Sequence, residues 1–239
     1  MTTRSTFSGT FSGTSSAASR ARAGTKGVAR AERESQIVEV ATRAFGTSGF
    51  AGTSVADVAE QAGISKPLIY NYFGSKEGLY AVCVRHAAEA LTAEIERTAA
   101  TGSVGLARAV ITLDGMFRLL APRPWLWHLV FDPTAPRDAE TQDVLAGYES
   151  RILAFGTEGV ADLLRLAGNE DPTDTAAMRT VWENVFRTLV NWWLDHPDES
   201  PEAMTERCVR LFSAVFGEID VPEDLLVPSG PVASSPRRP

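Results

Sequence analysis

One stretch of the sequence limits the possible folds more than any other: VADVAEQAGISKPLIYNYF, from Val55 to Phe73. Its apolar residues recur at helical spacing on both sides of Gly63, which predicts two short helices joined by a tight turn. Ala59 is small enough for the second helix to cross close to the first, and Gly63 can adopt the positive φ that the turn needs. The pattern therefore predicts a helix-turn-helix, whose second helix enters the major groove of DNA. A plain helical hairpin within a core is the alternative that the spacing leaves open.

The second of these helices carries polar and amphipathic side chains at its exposed positions. Hydroxyl, amide and ammonium groups can reach phosphates and base edges. The helix N-termini at Ser54 and Ser65 add backbone N–H groups that suit phosphate. The candidate DNA-binding side chains of this segment are Ser65, Lys66, Tyr70, Asn71, Tyr72 and, just after the helix, Lys76.

Helical periodicity continues along most of the chain. No segment shows sustained alternation of apolar and polar residues between hairpin turns, so no sheet is predicted. Gly46 and Gly49 are expected to end the first helix near residue 47. The sequence thus predicts an all-α protein of about nine helices, over residues 30–47, 54–62, 65–73, 75–99, 104–120, 125–131, 138–166, 173–195 and 201–216.

The two ends differ from the rest in composition. Residues 1–29 are rich in Ser, Thr, Gly and Ala and contain four basic residues but no acid, which is typical of a disordered basic arm. Residues 219–239 contain five prolines and are predicted to be a disordered tail. Between them we expect a helix-turn-helix domain at 30–76 and a helical effector-binding and dimerisation domain at 77–218.

Charge is distributed unevenly along the 239 residues. The net charge is −7, yet residues 1–76 hold nine basic and five acidic side chains. A basic head on an acidic body favours a polyanionic partner for the head, and it argues against a protein that coats nucleic acid all over. Whether the arm, through Arg20, Arg22, Lys26 and Arg30, also reaches phosphate or the minor groove is left open.

Cysteine and histidine usage excludes several classes of protein. Cys83 and Cys208 are the only cysteines, and the three histidines are scattered, so neither a disulfide framework nor a metal site is expected. No apolar run is long enough to cross a bilayer, and no secretory signal follows the first residues. We expect a cytoplasmic protein with no cofactor and no membrane partner.

The flanks of the helix-turn-helix carry a family resemblance. The pattern AxxxFxxxGFxxTSVxxVAxxAGISKPLIYNYFxSKExL, from Ala41 to Leu79, resembles the DNA-binding domain of TetR-family transcriptional regulators over roughly residues 30–80. The resemblance implies an all-helical homodimer, with a three-helix head and a body of about six helices that binds an effector. By position it implies that Thr53, Ser54 and Lys76 contact phosphate, and that Lys66, Tyr70, Asn71 and Tyr72 lie on the DNA face.

Two residues depart from the family pattern. Tyr72 stands where histidine is common in the family, and Gly78 is expected to weaken the start of the fourth helix.

Aromatic residues are concentrated in the body. All five tryptophans lie between residues 125 and 193, which is compatible with an apolar cavity holding a few polar groups, although core packing is the alternative for each ring. The predicted wall consists of Phe117, His128, Phe131, Tyr148, Trp182 and Phe186. Arg118, His128 or Asn184 would orient a polar end of the ligand.

A lipophilic effector suits such a wall. An acyl-coenzyme A would need basic groups at the mouth of the cavity, and Arg118, Arg123, Arg151 and Arg187 are available for that role.

The last two predicted helices look like the family's dimer interface. Each has an apolar stripe, formed by Val181, Val185, Leu189 and Trp192 on one and by Met204, Cys208, Leu211, Phe212, Val215 and Phe216 on the other. Two helices from each subunit would form a four-helix bundle. A two-fold dimer doubles the base contacts of a short recognition helix and predicts a roughly palindromic operator.

These observations together predict a ligand-responsive DNA-binding regulator, a homodimeric repressor that a small lipophilic effector releases from its operator. Ligand-assisted DNA binding is physically equivalent and stays open. An enzyme is disfavoured because GxSxG, HExxH, P-loop and dinucleotide-binding patterns are missing, although Asp132 or Glu183 with a histidine would form an acid–base pair. A helical interaction module without a DNA role is the other alternative, which the basic head disfavours.

Overall fold

The computed structural model describes residues 16–217, with side chains from Arg30 onward, and this part of the chain is entirely helical. Its helices are α1 (Ser16–Gly52), α2 (Val55–Gln61), α3 (Lys66–Phe73), α4 (Lys76–Ala99), α5 (Gly105–Leu120), α6 (Trp125–Val130), α7 (Ala139–Leu166), α8 (Pro172–Leu194) and α9 (Pro201–Phe216). The predicted all-α class is confirmed. Within residues 16–217, none of the helices combines the length and apolar character that a membrane crossing requires.

The first helix differs from the prediction at both ends. It begins at Ser16, inside the segment predicted to be disordered, where Ala and Arg residues with high helix propensity outnumber the glycines. Gly46 does not end it; the helical geometry breaks at Gly49, where φ is 70°, and resumes to Gly52. Residues 1–15 of the predicted arm and the predicted tail at 219–239 lie outside the described residues.

Helices α2 and α3 form the expected helix-turn-helix. Gly63 has a φ of 66°, and the N–H of Ile64 donates to the carbonyl of Ala59 at 2.9 Å across the turn. Val58 and Ile69 are fully buried between the two helices. Local sequence is sufficient for this geometry, because a capping serine, a turn glycine and two apolar faces lie within about twenty residues.

Serines begin two of these helices as side-chain caps. The hydroxyl of Ser54 accepts the N–H of Asp57 at 3.1 Å, and that of Ser75 accepts the N–H of Gly78 at 2.9 Å. Gly78 is required at the start of α4, because a Cβ there would overlap the carbonyl oxygen of Phe73. The close approach of α3 to α4 thus explains why glycine occupies position 78, although glycine is expected to weaken the start of a helix.

Helix α4 connects the head to the body. It packs against α1 and α3 on the head side and against α5, α6 and α7 in the body, while α9 packs on α5 and α8 on α7. Leu79, Tyr80, Val84 and Leu91 of α4 are fully buried. One apolar core therefore continues from the helix-turn-helix into the body, so a displacement of α4 moves both. The boundary placed at residue 76 stays a prediction.

Candidate functional site

Helix α3 presents one polar face to solvent. Ser65, Lys66, Tyr70 and Asn71 are exposed on it, and the Lys66 ammonium lies 5.8 Å from the centroid of the Tyr70 ring. The opposite face carries buried Ile69. Four of the sequence-predicted residues are therefore brought together on one exposed surface that offers hydroxyl, amide and ammonium groups.

Tyr72 lies beside this face. Its ring is half-buried, 6.0 Å from the ring of Phe73, and the Arg30 guanidinium of α1 lies over it at 5.1 Å. Sequence reasoning missed this role of Arg30, which holds the recognition helix from the side of α1.

Thr53 and Lys76 make contacts within the protein. Thr53 is buried, and its hydroxyl lies 2.8 Å from the carbonyl oxygen of Gly49 and 3.1 Å from that of Ala44. The half-buried Lys76 ammonium donates to the carbonyl of Phe50 at 2.6 Å. Both side chains stabilise the kink of α1. Phosphate contact at these positions stays a prediction, and for buried Thr53 the side chain does not reach the surface in this conformation.

Asp132, which follows the C-cap of α6, binds the head. Its Oδ2 accepts the N–H of Phe50 at 2.7 Å and the hydroxyl of Tyr80 at 3.0 Å. Its Oδ1 accepts the N–H and the hydroxyl of Thr134 at 2.8 and 2.7 Å, and the Thr134 hydroxyl oxygen accepts the N–H of Ala51 at 3.2 Å. The carboxylate thus joins the kink of α1, helix α4 and the α6–α7 connection.

Tyr80 serves this junction only as a hydrogen-bond donor. Burial, and after it the charge of Asp132, raises the pKa of Tyr80 far above its ordinary value. Asp132 was considered from sequence only as a possible catalytic acid, since nothing local indicates a partner 82 residues away.

The body contains a cavity of about 650 Å³, partly open to solvent, between α4, α5, α6, α7, α8 and the end of α9. The size is typical of a small-molecule site. Most of its wall is apolar. Its principal apolar members are Ile95, Leu106, Trp127, Phe131, Ile152, Leu153, Phe155, Val160, Leu163, Met178, Val181, Trp182, Val185, Phe186, Phe212 and Phe216. The polar members are Arg108, Thr112, Tyr148, Glu149, Ser150, Glu183 and Arg187.

Four of the six predicted wall residues line this cavity: Phe131, Tyr148, Trp182 and Phe186. Phe117 does not, because the cavity borders the N-terminal half of α5, and Phe117 packs its buried ring 5.1 Å from Trp193 farther along. His128 does not either. It is exposed on another face of α6. Trp127 and Phe131, four residues apart, form the face that lines the cavity.

The arginines proposed for a polar ligand end are mostly engaged elsewhere. Arg118 binds Asp114 at 2.9 Å and Glu202 at 2.6 Å, which connects α5 with α9, and Arg151 pairs with Glu96. Arg123 and Asn184 are exposed outside the wall. Arg187 alone among the arginines considered from sequence reaches the cavity. Aliphatic wall residues such as Leu163 carried no signal that separates cavity lining from core.

The stripes predicted for a dimer interface are partly exposed. On α8, Val181 and Trp192 are 56% and 38% exposed; on α9, Leu211, Val215 and Phe216 are 50% or more exposed. Met204, Cys208 and Phe212 are buried against the rest of the protein. The two helices therefore leave an apolar surface uncovered in the single chain.

The fold and these surfaces define a class of protein: a helix-turn-helix DNA-binding head, joined through one long helix to an all-helical body that contains a largely apolar cavity. Residues 37–83 match the family model described as bacterial regulatory proteins, tetR family. Over these residues, which belong to the head, the chain is similar to the DNA-binding domain of the TetR family.

Curated relatives match part of the chain. The HTH-type transcriptional regulator BetI of Burkholderia thailandensis is 35% identical over 71 residues, which cover 30% of this chain and 36% of the relative. The HTH-type transcriptional activator FasR of Mycolicibacterium smegmatis is 24% identical over 135 residues, covering 56% of this chain and 60% of that protein. The chain thus spans about a third of the length of the BetI relatives that it matches.

Solved structures share the fold across head and body. The transcriptional regulator FadR from Bacillus subtilis, in complex with stearoyl-CoA, superposes with a TM-score of 0.61 at 17% identity, covering 76% of this chain and 97% of that one. A TetR-family transcriptional regulator from Bordetella parapertussis gives 0.61 at 20% identity, covering 75% and 93%.

Proposed function

We propose that the protein is a ligand-responsive transcriptional repressor, which binds a palindromic operator as a homodimer and is released by a small lipophilic effector. The observation that carries the proposal is the connection between cavity and head. Phe131 lines the cavity, and the next residue, Asp132, binds the backbone of Phe50 in the head. A ligand that moves Phe131 acts directly on the residue that holds the kink of α1.

DNA recognition is assigned to the exposed face of α3. Lys66 would pair with phosphate, and Tyr70 and Asn71 would reach phosphate or base edges in the major groove. Ser54, Ser65, Tyr72 and Lys76 complete the proposed contact set, while Thr53, whose side chain is buried, would support the adjacent backbone. A basic head supports association with DNA despite the overall charge of −7.

The proposed release follows from a population shift. If the effector prefers the body conformation in which the two heads are separated too far for adjacent major grooves, it lowers operator affinity by its differential binding energy. A coupling of about 1–3 kcal/mol changes the affinity roughly 5–150-fold. Repression is the proposed outcome because a bound dimer occludes a promoter. A reporter gene shows directly whether the protein lowers or raises expression.

The test is selection of duplexes from a random library by the purified full-length protein, followed by sequencing. An enriched inverted repeat supports the proposal, and absence of enrichment even with cell extract present contradicts it. Lys66→Ala should reduce the salt slope of operator binding by about one phosphate contact, and Asn71→Ala should cost about 1–3 kcal/mol and relax one base position. Arg123→Ala, an exposed arginine outside the proposed face, is the matched control.

The operator then allows the effector response to be measured. Lipophilic compounds that quench tryptophan fluorescence should also release the labelled operator in an anisotropy titration. In a reporter strain with the operator at the promoter, expression should fall with the protein present and recover with the compound. If the compound tightened operator binding, or lowered expression further, the proposed release by the effector would be contradicted.

A further inference from the structure

Two of the four charged side chains that line the cavity, Arg108 and Glu183, are already paired with opposite charges. Arg108 pairs with Glu158 at 3.3 Å and Asp162 at 3.6 Å, and Glu183 pairs with Arg179 at 2.6 Å. Buried or enclosed ions that are paired in this way have little remaining attraction for a ligand.

Arg187 differs from Arg108 and Glu183 in having no such partner among the described side chains. Within residues 30–217 no carboxylate lies within 4.0 Å of its guanidinium, which is placed 4.7 Å from the centroid of the Phe131 ring. A guanidinium that packs on an aromatic face keeps the N–H donors that lie in its own plane available, and they match the two oxygens of a carboxylate.

Tyr148 supplies a second donor at the same wall. The residue is only 6% exposed, lines the cavity, and makes no hydrogen bond to any other described residue. Its ring packs edge-on against Phe131, with 6.4 Å between the ring centroids, and the Arg187 guanidinium contacts the same Phe131 ring. Burial raises the pKa of Tyr148 above its ordinary value. The charge of Arg187 lowers this pKa in part, and the charge of Glu149 raises it by a smaller amount. The phenol therefore stays protonated near neutral pH and can donate.

We infer that the effector is a lipophilic carboxylic acid, whose carboxylate is held by the Arg187 guanidinium and the Tyr148 hydroxyl and whose apolar part contacts Trp182, Phe186 and Leu163. The inference rests on the proposed function and specifies the ligand class of the same cavity. A single negative charge fits better than a polyphosphate, because Glu149 and Glu183 line the same wall and one unpaired cation faces the cavity within the described part of the chain.

A chain-matched series of ligands tests this inference on the full-length protein. Dodecanoate, 1-dodecanol, dodecylamine and dodecanoyl-coenzyme A share one apolar chain and differ in the head group. Binding is followed by the fluorescence of Trp127 and Trp182, which line the cavity, below the onset of micelles and with calorimetry as a second readout. We expect dodecanoate to bind at least about tenfold more tightly than each of the others, since charge-assisted hydrogen bonds are the strong ones.

Variants locate the carboxylate. Arg187→Gln should remove the preference for dodecanoate over dodecanol to within about twofold, while dodecanol binding stays unchanged. Tyr148→Phe should weaken dodecanoate about three- to tenfold and leave dodecanol unaffected. Arg123→Gln is the matched control, because it removes an exposed arginine that lies outside the wall, and it should preserve the preference.

The outcomes separate this inference from the proposed function. Equal binding of acid and alcohol, tighter binding of the amine or the coenzyme A ester, or an unaltered preference in Arg187→Gln would each overturn the carboxylate assignment while leaving a lipophilic effector in place. If none of the four compounds binds, the effector cavity itself is contradicted. Operator selection by the ligand-free protein tests DNA binding independently of every one of these results.

Discussion

At the residue scale, Asp132 connects three parts of the fold although it lies in a loop after α6. One carboxylate accepts four hydrogen bonds, from the Phe50 N–H, the Tyr80 hydroxyl, and the N–H and hydroxyl of Thr134. A neutral amide has only one oxygen to offer, so a substitution that preserves shape still removes acceptors.

Asp132→Asn is therefore expected to destabilise the protein by about 1–3 kcal/mol, because the partly buried donors of Phe50 and Tyr80 compete for a single acceptor oxygen. Urea unfolding followed by far-UV circular dichroism measures the free energy of unfolding. Operator affinity should fall in the same variant, since the kink of α1 loses its support. Asp143→Asn changes an exposed carboxylate of α7 and serves as the control. Equal stability of the two variants would show that the hydrogen bonds of Asp132 contribute little.

The two cysteines offer a second test at this scale. Burial raises the pKa of Cys83 and of Cys208 to about 12. The thiolate fraction at pH 8 is then on the order of one part in ten thousand, since each pH step changes it tenfold. We expect neither thiol of the native protein to react with Ellman's reagent at pH 8, and both to react in guanidinium chloride. Rapid labelling of one thiol in the native state would contradict its burial.

At the scale of elements, the crossing of α1 and α6 depends on Gly46. A Cβ at that position would overlap the carbonyl oxygen of Trp125, while the Arg43 guanidinium lies 4.4 Å from the Trp125 ring centroid on the same contact. The two helices approach closely because glycine leaves the space. Since α6 continues into Phe131 and Asp132, this contact also positions the connection between cavity and head.

Gly46→Ala should consequently destabilise the protein by about 1–3 kcal/mol through overpacking. Gly147→Ala is the matched control, because Gly147 lies within α7 and a Cβ there meets no neighbouring atom. That change should be neutral or stabilising by up to about 1 kcal/mol, the ordinary advantage of alanine in a helix. Thermal unfolding of both variants measures the difference, and equal destabilisation would argue against the close crossing.

At the scale of the whole molecule, α8 and α9 leave a set of apolar residues exposed. Leu211 and Val215 lie four residues apart on one face of α9, and 50% and 72% of their surfaces are exposed. Contiguous apolar surface of this kind is typical of protein–protein contacts, and a second copy of the chain would cover it by two-fold symmetry.

The double variant Leu211→Glu, Val215→Glu is expected to shift the protein from dimer to monomer, because four charges would be buried at a two-fold interface. Light scattering coupled to size exclusion measures the mass. Operator affinity should fall at least about a hundredfold, since one head makes too few contacts. Val104→Glu, an exposed apolar residue before α5, should leave both properties unchanged. A dimer that persists in the double variant would exclude this face.

Much of the molecule follows from local sequence. The helix-turn-helix was predictable because Ser54, Gly63 and the apolar positions of α2 and α3 act within about twenty residues of one another. Caps and helix-ending glycines likewise place most helices within a few residues of the observed bounds. The concentration of aromatic residues in the body indicated an apolar cavity, and four of the six residues predicted for its wall line it.

Tertiary structure alone decided which side chains meet. Thr53 turned inward and Lys76 bound a carbonyl because the kink at Gly49 exposes backbone oxygens that no local pattern reveals. Phe117 and Phe131 look alike in sequence, yet one packs in the core and the other lines the cavity. Asp132 meets Phe50 across 82 residues. The periodicity of a helix determines which face is apolar; only the packing of all the helices determines what that face contacts.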